Sequence, residues 1–123
     1  MENNPVDWFE IYVDDLSRAS AFYEAVLGVK LSALDNGDVN MRVFPMGVNR
    51  SGAAGALVHM DGFPAGGNST LVYFFSEDCA IEQRRVTENG GRIQKPKQSI
   101  GEHGFISLVI DTEGNMFGLH SMK

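Results

Sequence analysis

The chain has 123 residues, 43% of them hydrophobic and 21% charged, with ten basic against sixteen acidic side chains and a net charge of −6. That is one domain's worth of sequence, with enough apolar residues for a sizeable core. Phosphate binding needs clustered Lys and Arg, so the acidic balance disfavours nucleic acid and anionic membranes, and no apolar stretch is long enough to span a bilayer.

The first residues, Met1-Glu2-Asn3-Asn4-Pro5, carry no basic segment and no apolar core, so they do not read as a signal peptide. Val6 to Val13 reads as a strand on which Trp8, Glu10 and Tyr12 share one face by two-residue alternation. Asp14 or Asp15 caps the helix that follows. Leu16, Ala19, Phe22, Tyr23, Val26 and Leu27 recur at helical steps as one apolar stripe, and Gly28 ends the helix. Val29–Leu31, Val39–Phe44 and Gly55–Met60 read as short strands, with a hairpin turn at Asp35-Asn36-Gly37-Asp38. Asp61 to Ser69 is rich in Gly and Pro and reads as a connection.

The second half repeats the order. Thr70–Phe75 reads as a strand, Asp78–Asn89 as a helix, and Arg92–Gln94 as a strand that stops before Pro96. Ile100–Gly104 reads as a loop holding Glu102 and His103. Phe105–Ile110 and Met116–His120 are the last strands, joined by the turn Asp111–Asn115. Arg84-Arg85 reads as part of a solvated helix face. Cys79, the only cysteine, forms no disulfide within the chain and fits a reducing, cytoplasmic compartment. Its apolar neighbours favour a buried structural thiol over one activated by the helix N-terminus.

Asp15 precedes Gly28 by the same 13 positions that separate Asp78 from Gly91, and the copies are offset by 63. The sequence therefore predicts a single α+β domain over 1–123. It consists of two tandem βαβββ modules, about 6–60 and 69–120, in a curved mixed sheet with a concave site.

The wording of these segments resembles the vicinal oxygen chelate superfamily of glyoxalase I, bleomycin-resistance proteins and extradiol dioxygenases. Phe9 to Leu16 followed by Ala21 to Gly28 is similar to its opening strand and helix. Leu71-Val72-Tyr73-Phe74 with Asn89-Gly90-Gly91 is similar to its second module. Ile100 to Phe105, Asp111 to Asn115 and Gly118 to Ser121 resemble the ending of small bacterial glyoxalase-related or lactoylglutathione-lyase-related proteins. The resemblance covers nearly the whole chain, and a fold of this kind hosts many chemistries.

The resemblance also implies a divalent metal held from the first and last strands of each module. Matched residue by residue, those positions fall on Trp8, on Leu71 (or Thr70 if the register slips), within Ala53–Val58 and on Gly118. None offers the nitrogen or carboxylate oxygen that such a metal needs, so no cofactor is expected. The alternative is a displaced metal site built from Glu10, His120 and His59.

Two readings compete. The first is a metal-independent module that binds a small, partly apolar molecule in its cup, as bleomycin-resistance relatives do. The second is a metal-dependent lyase or isomerase related to lactoylglutathione lyase; a blander third is a dimeric scaffold with a vestigial cup. Trp8, Glu10, Tyr12, Tyr73, Phe75 and His120 are the candidate ligand-binding residues. Glu10 doubles as a candidate general base, since a carboxylate among aromatic residues is costly to bury unpaired. Glu102 and His103 are candidate gate residues. The resemblance also implies a homodimer, because short members commonly complete their cups by pairing.

Overall fold

A computed structural model describes residues 4–36, 39–47 and 51–123. Gly37 and Asp38, the tip of the expected hairpin, lie outside the described residues, as do Met1 to Asn3 of the polar N-terminal stretch.

The first module runs β1 (Trp8–Tyr12), α1 (Leu16–Leu27), β2 (Ser32–Asn36), β3 (Val39–Val43) and β4 (Ala54–His59). The second runs β5 (Tyr73–Phe75), α2 (Cys79–Glu88), β6 (Arg92–Ser99), β7 (Phe105–Ile110) and β8 (Met116–Ser121), with a short 3-10 turn at Gly101–His103. Each module forms a four-stranded mixed sheet, β1-β4-β3-β2 and β5-β8-β7-β6. The first strand pairs in parallel with the last, and the other neighbours are antiparallel. The expected α+β architecture of paired βαβββ modules is present. The repeat reaches individual hydrogen bonds: Val13 N–H donates to Val58 O at 2.8 Å, and Ser76 N–H donates to His120 O at 2.7 Å.

Local chemistry explains the helix ends. Asp15 is extended and its carboxylate accepts from Arg18 N–H, while Asp78 accepts from Ala80 N–H. Each satisfies a donor that the first helical turn leaves orphaned. Gly28 stops α1 at φ 68°, returning its N–H to Glu24 O. The second glycine stop differs. Asn89 caps α2, Gly90 takes the left-handed turn, and Gly91 serves close packing. A Cβ at Gly91 would meet Ile110 O at 2.5 Å and Phe22 Cε1 at 2.9 Å.

Three strand boundaries depart from expectation. Residues 29–31 form a helix exit instead of a strand, because Glu24 holds them: Leu31 N–H donates to its carboxylate at 2.8 Å and Val29 N–H to its carbonyl at 3.3 Å. The second module's first strand is shorter than Thr70–Phe75 and starts at Tyr73. Strand β6 runs through Pro96 to Ser99. It is an edge strand whose register shifts twice between Ile93 and Gln98, and an edge or bulge tolerates a residue without an N–H. Arg85 also departs from the solvated reading. Its Nη1 reaches Val26 O at 3.2 Å and satisfies a carbonyl at the open end of α1.

The core lies between the helices and one face of both sheets. Ala19, Phe22, Tyr23 and Val26 of α1 are buried with Leu57, Val86, Val109, Phe117 and Leu119. Six rings from both modules, Phe9, Phe22, Tyr23, Phe44, Phe74 and Phe117, make a continuous set of contacts at 5.1–6.2 Å between centroids. Each large buried side chain contributes about 1.5–3 kcal/mol on leaving water, so the shared ring set is a principal adhesive between the modules. Cys79 is fully buried in this core, and its backbone N–H donates to Ser121 Oγ.

Candidate functional site: a cleft beside the first strand

The sheet faces turned away from the helices carry the candidate residues. On β1, alternation places Trp8, Glu10 and Tyr12 together on that face, as expected. Glu10 is exposed rather than buried among aromatics, and it is not unpaired. Trp8 Nε1–H donates to its Oε2 at 3.1 Å and Tyr12 O–H donates to its Oε1 at 2.9 Å. The three side chains thus form one hydrogen-bonded unit across a single strand. The bond to Glu10, followed by partial burial and the carboxylate's charge, raises the Tyr12 hydroxyl above its ordinary pKa of 10.0.

Beside this unit lies a cleft of about 710 Å³. One wall is β1, the edge strand of its sheet. The facing wall is the connection around Gly62–Val72 together with Asn115, Met116 and Phe117. Phe63 stacks on Tyr12 at 5.6 Å between centroids and 27° between planes. In the sequence this connection reads only as a joint. An aromatic residue held between Gly62 and Pro64 is the one local sign of more.

The cleft is built at the seam between the modules, and the turn Asp111–Asn115 makes that seam. Glu113 has a fully buried side chain. Its carboxylate accepts from Asp14 N–H at 3.1 Å, Asp15 N–H at 2.9 Å, Arg18 Nε at 2.6 Å and Nη2 at 2.8 Å, and the Thr112 hydroxyl at 2.9 Å. Burial alone would raise this carboxyl. The donors from Arg18, Asp15 and Thr112 outweigh that and hold it at about 2. Asp111 accepts from Glu113 N–H and Asn115 N–H on one oxygen and from the Tyr23 hydroxyl, at 2.6 Å, on the other. Here burial outweighs those bonds and raises the carboxyl above its ordinary 3.8. Burial, and then the charge and hydrogen bond of Asp111, push the Tyr23 hydroxyl well above 10.0. Asn115 donates to Tyr12 O at 2.9 Å and accepts from Gly66 N–H at 2.7 Å, tying β1 to the far wall.

The remaining candidates lie elsewhere. Tyr73, Phe75 and His120 line a second, shallower hollow of about 500 Å³ on the other sheet, with Ile100 and Ile106. Tyr73 and Phe75 are 46% and 70% exposed. The His120 ring nitrogen Nε2 is 2.7 Å from His103 O, which accepts from it. His103 and Glu102 are exposed side by side, 3.8 Å apart. The six candidate ligand residues therefore divide into two groups of three, one per module.

The family's metal does not fit the residues present. A side chain at 118 would overlap the Tyr73 ring, which lies over Gly118. Trp8 turns its indole N–H to Glu10, and the corresponding stretch of β4 presents alanines. The displaced set does not converge either. Glu10 and His120 sit on different sheets, and His59 Nδ1 lies 3.0 Å from Val13 O. Among the described residues no three His, Cys, Asp or Glu side chains cluster for a metal ion.

Two βαβββ modules sharing one core, each with a face left open, define a class of fold. The sequence pattern of the Glyoxalase/Bleomycin resistance protein/Dioxygenase superfamily matches residues 6–119, and the chain belongs to that superfamily. Its fold is similar to a glyoxylase/bleomycin resistance protein/dioxygenase domain from Frankia sp. EAN1pec (TM-score 0.75, 16% identity), covering 99% of this chain and 100% of that one. It is similar to the antibiotic binding protein TnmS3 from Streptomyces sp. CB03234 (TM-score 0.67, 24% identity, 98% of each chain). It is also similar to glyoxalase I from Zea mays (TM-score 0.73, 20% identity), covering 96% of this chain but 46% of that one, so it spans about half the maize protein. No curated protein matches the chain. At these identities the likeness is one of fold.

Proposed function

We propose that this chain is a glyoxalase-like binding protein that takes up a small, partly apolar molecule in the cleft beside β1. The cleft itself carries the reading. It has the size of a small-molecule site, aromatic and apolar walls, and one carboxylate already oriented by two neighbours. The likeness to an antibiotic binding protein of equal length supports uptake without turnover. A thermal-shift screen of small metabolites and aromatic compounds tests it on wild type, Glu10→Gln and Trp8→Ala. Hits should stabilise wild type more than either variant. Equal shifts in all three would put the pocket elsewhere.

The proposed protein works without the family's divalent metal, since Trp8, Leu71, the β4 alanines and the covered Gly118 supply no ligand set. About one Zn, Ni or Fe per chain, in protein purified without chelator or metal-affinity resin, would instead favour the lyase reading.

We also propose a cytoplasmic homodimer. The bare apolar face of the second module, with Tyr73, Phe75 and Ile100 exposed, is the surface on which another copy packs. Pairing would join Tyr73, Phe75 and His120 to a shared cup. Light scattering should give twice the chain mass for wild type and the monomer mass for Phe75→Glu; a monomeric wild type at micromolar concentration would sink the dimer.

A further inference from the structure

The cleft's electrostatics say more about its occupant than its shape does, provided that the cleft is the binding site proposed above. Among the described residues that line it, Glu10 is the only side chain charged at neutral pH. Of the other polar side chains in the lining, the hydroxyls of Ser69 and Thr70 are neutral, and the rest are spent within the fold. Asn68 donates to Thr70 O and Met116 O and accepts from Met116 N–H, and Asn115 is committed to Tyr12 and Gly66. The Tyr23 hydroxyl belongs to Asp111. Trp8 and Tyr12 each give their one hydrogen to Glu10, and they give it to different oxygens.

A carboxylate has about four lone-pair sites, two on each oxygen. Trp8 and Tyr12 occupy one on each, so each oxygen keeps one. The two donors also fix the plane of the carboxylate. What remains is one acceptor site on each of the two oxygens, the number that a planar amidinium or guanidinium engages with two N–H groups. The aromatic faces of Trp8, Tyr12 and the Phe63 stacked on it attract cations as well.

We propose that the cleft selects a planar, N–H-bearing organic cation, an amidinium or guanidinium on an apolar or aromatic body, with Glu10 as its two-point anchor. Because Glu10 is exposed, water and salt screen the attraction. The selectivity is therefore about tenfold, the gain from a second hydrogen bond to a charged group, since an amidinium offers the two oxygens two N–H groups where an amide offers one.

Trp8 is the only tryptophan in the chain, so intrinsic fluorescence reports directly on this wall. The test titrates the full chain with three near-isosteric probes, benzamidinium, benzamide and benzoate, at low and high salt. Benzamidinium should bind about tenfold more tightly than benzamide, and benzoate more weakly than either. The preference should shrink at high salt, and Glu10→Gln should bring benzamidinium to within about twofold of benzamide. Equal binding of benzamidinium and benzamide by wild type would overturn the charge selection while leaving the cleft as a pocket. Binding of none of the three would overturn both.

Discussion

Glu10 and Glu113 carry the same charge on the same chain and do opposite work. Glu113 is sealed in the seam between the modules, with four backbone and side-chain groups donating to it. Glu10 stands in the open on the cleft wall, with two side-chain donors and acceptor capacity left over. A carboxylate whose every lone pair is answered inside the fold is structural. One that is held but only half answered is available to something from outside. The difference lies in the partners, not in the residue type.

Glu113→Ala tests this contrast most severely. It orphans Asp14 N–H and Asp15 N–H and strands Arg18, so it should cost about 3 kcal/mol of stability. Arg18 is itself half exposed, which lowers its share of that figure. Denaturant unfolding should show the loss as a lower midpoint, and an unchanged midpoint would remove Glu113 from its structural role. The same residue sets an acid limb. Its folded pKa of about 2 lies below its ordinary 4.5, so its contribution is full above pH 4.5 and is lost as pH falls toward 2. Glu113→Ala should flatten that limb.

Asp111→Asn should have a smaller effect, about 1 kcal/mol or less, because the amide keeps the shape of the turn and removes a buried charge. Its signature is the opposite pH slope. Burial raises Asp111 in the fold, so Asp111 makes wild type gain stability as pH falls through that raised value toward 3.8. The variant should lose that gain, and stability curves measured between pH 7 and pH 4 will show whether it does.

Glu10→Gln should change stability least, by less than about 0.5 kcal/mol, because the group is exposed. It should still move Tyr12. With the charge gone, the phenol titration should shift down toward 10.0, readable by absorbance against wild type. A stability loss comparable to that of Glu113→Ala would show that Glu10 belongs to the fold and not to the cleft.

Much of the architecture was legible in the sequence because it is locally encoded. The two acidic caps, the apolar stripe of α1 and the face shared by Trp8, Glu10 and Tyr12 each follow from spacing within one element. The seam was not legible. Asp111–Asn115 reads as a turn, and only tertiary contact places Glu113 against Asp14 and Asp15, nearly a hundred residues earlier. The same limit hid Phe63, whose importance depends on its stacking against Tyr12 of the first strand. It also hid the separation of Tyr73, Phe75 and His120 from the first three candidates, because equivalent strands of a repeat look alike until two sheets are seen.

The ring set that joins the modules has a further consequence, for the order in which the molecule assembles. Tyr23 packs on Phe117 at 5.1 Å, although 94 positions of chain separate them. Such a contact forms only after a long loop has closed, and closing it costs entropy before any burial is gained. During synthesis α1 emerges long before the strand that completes its burial. The nascent first module therefore waits with Phe22 and Tyr23 incompletely covered. Folding should be limited by the arrival of β8, and a chain truncated before Met116 should be prone to aggregation.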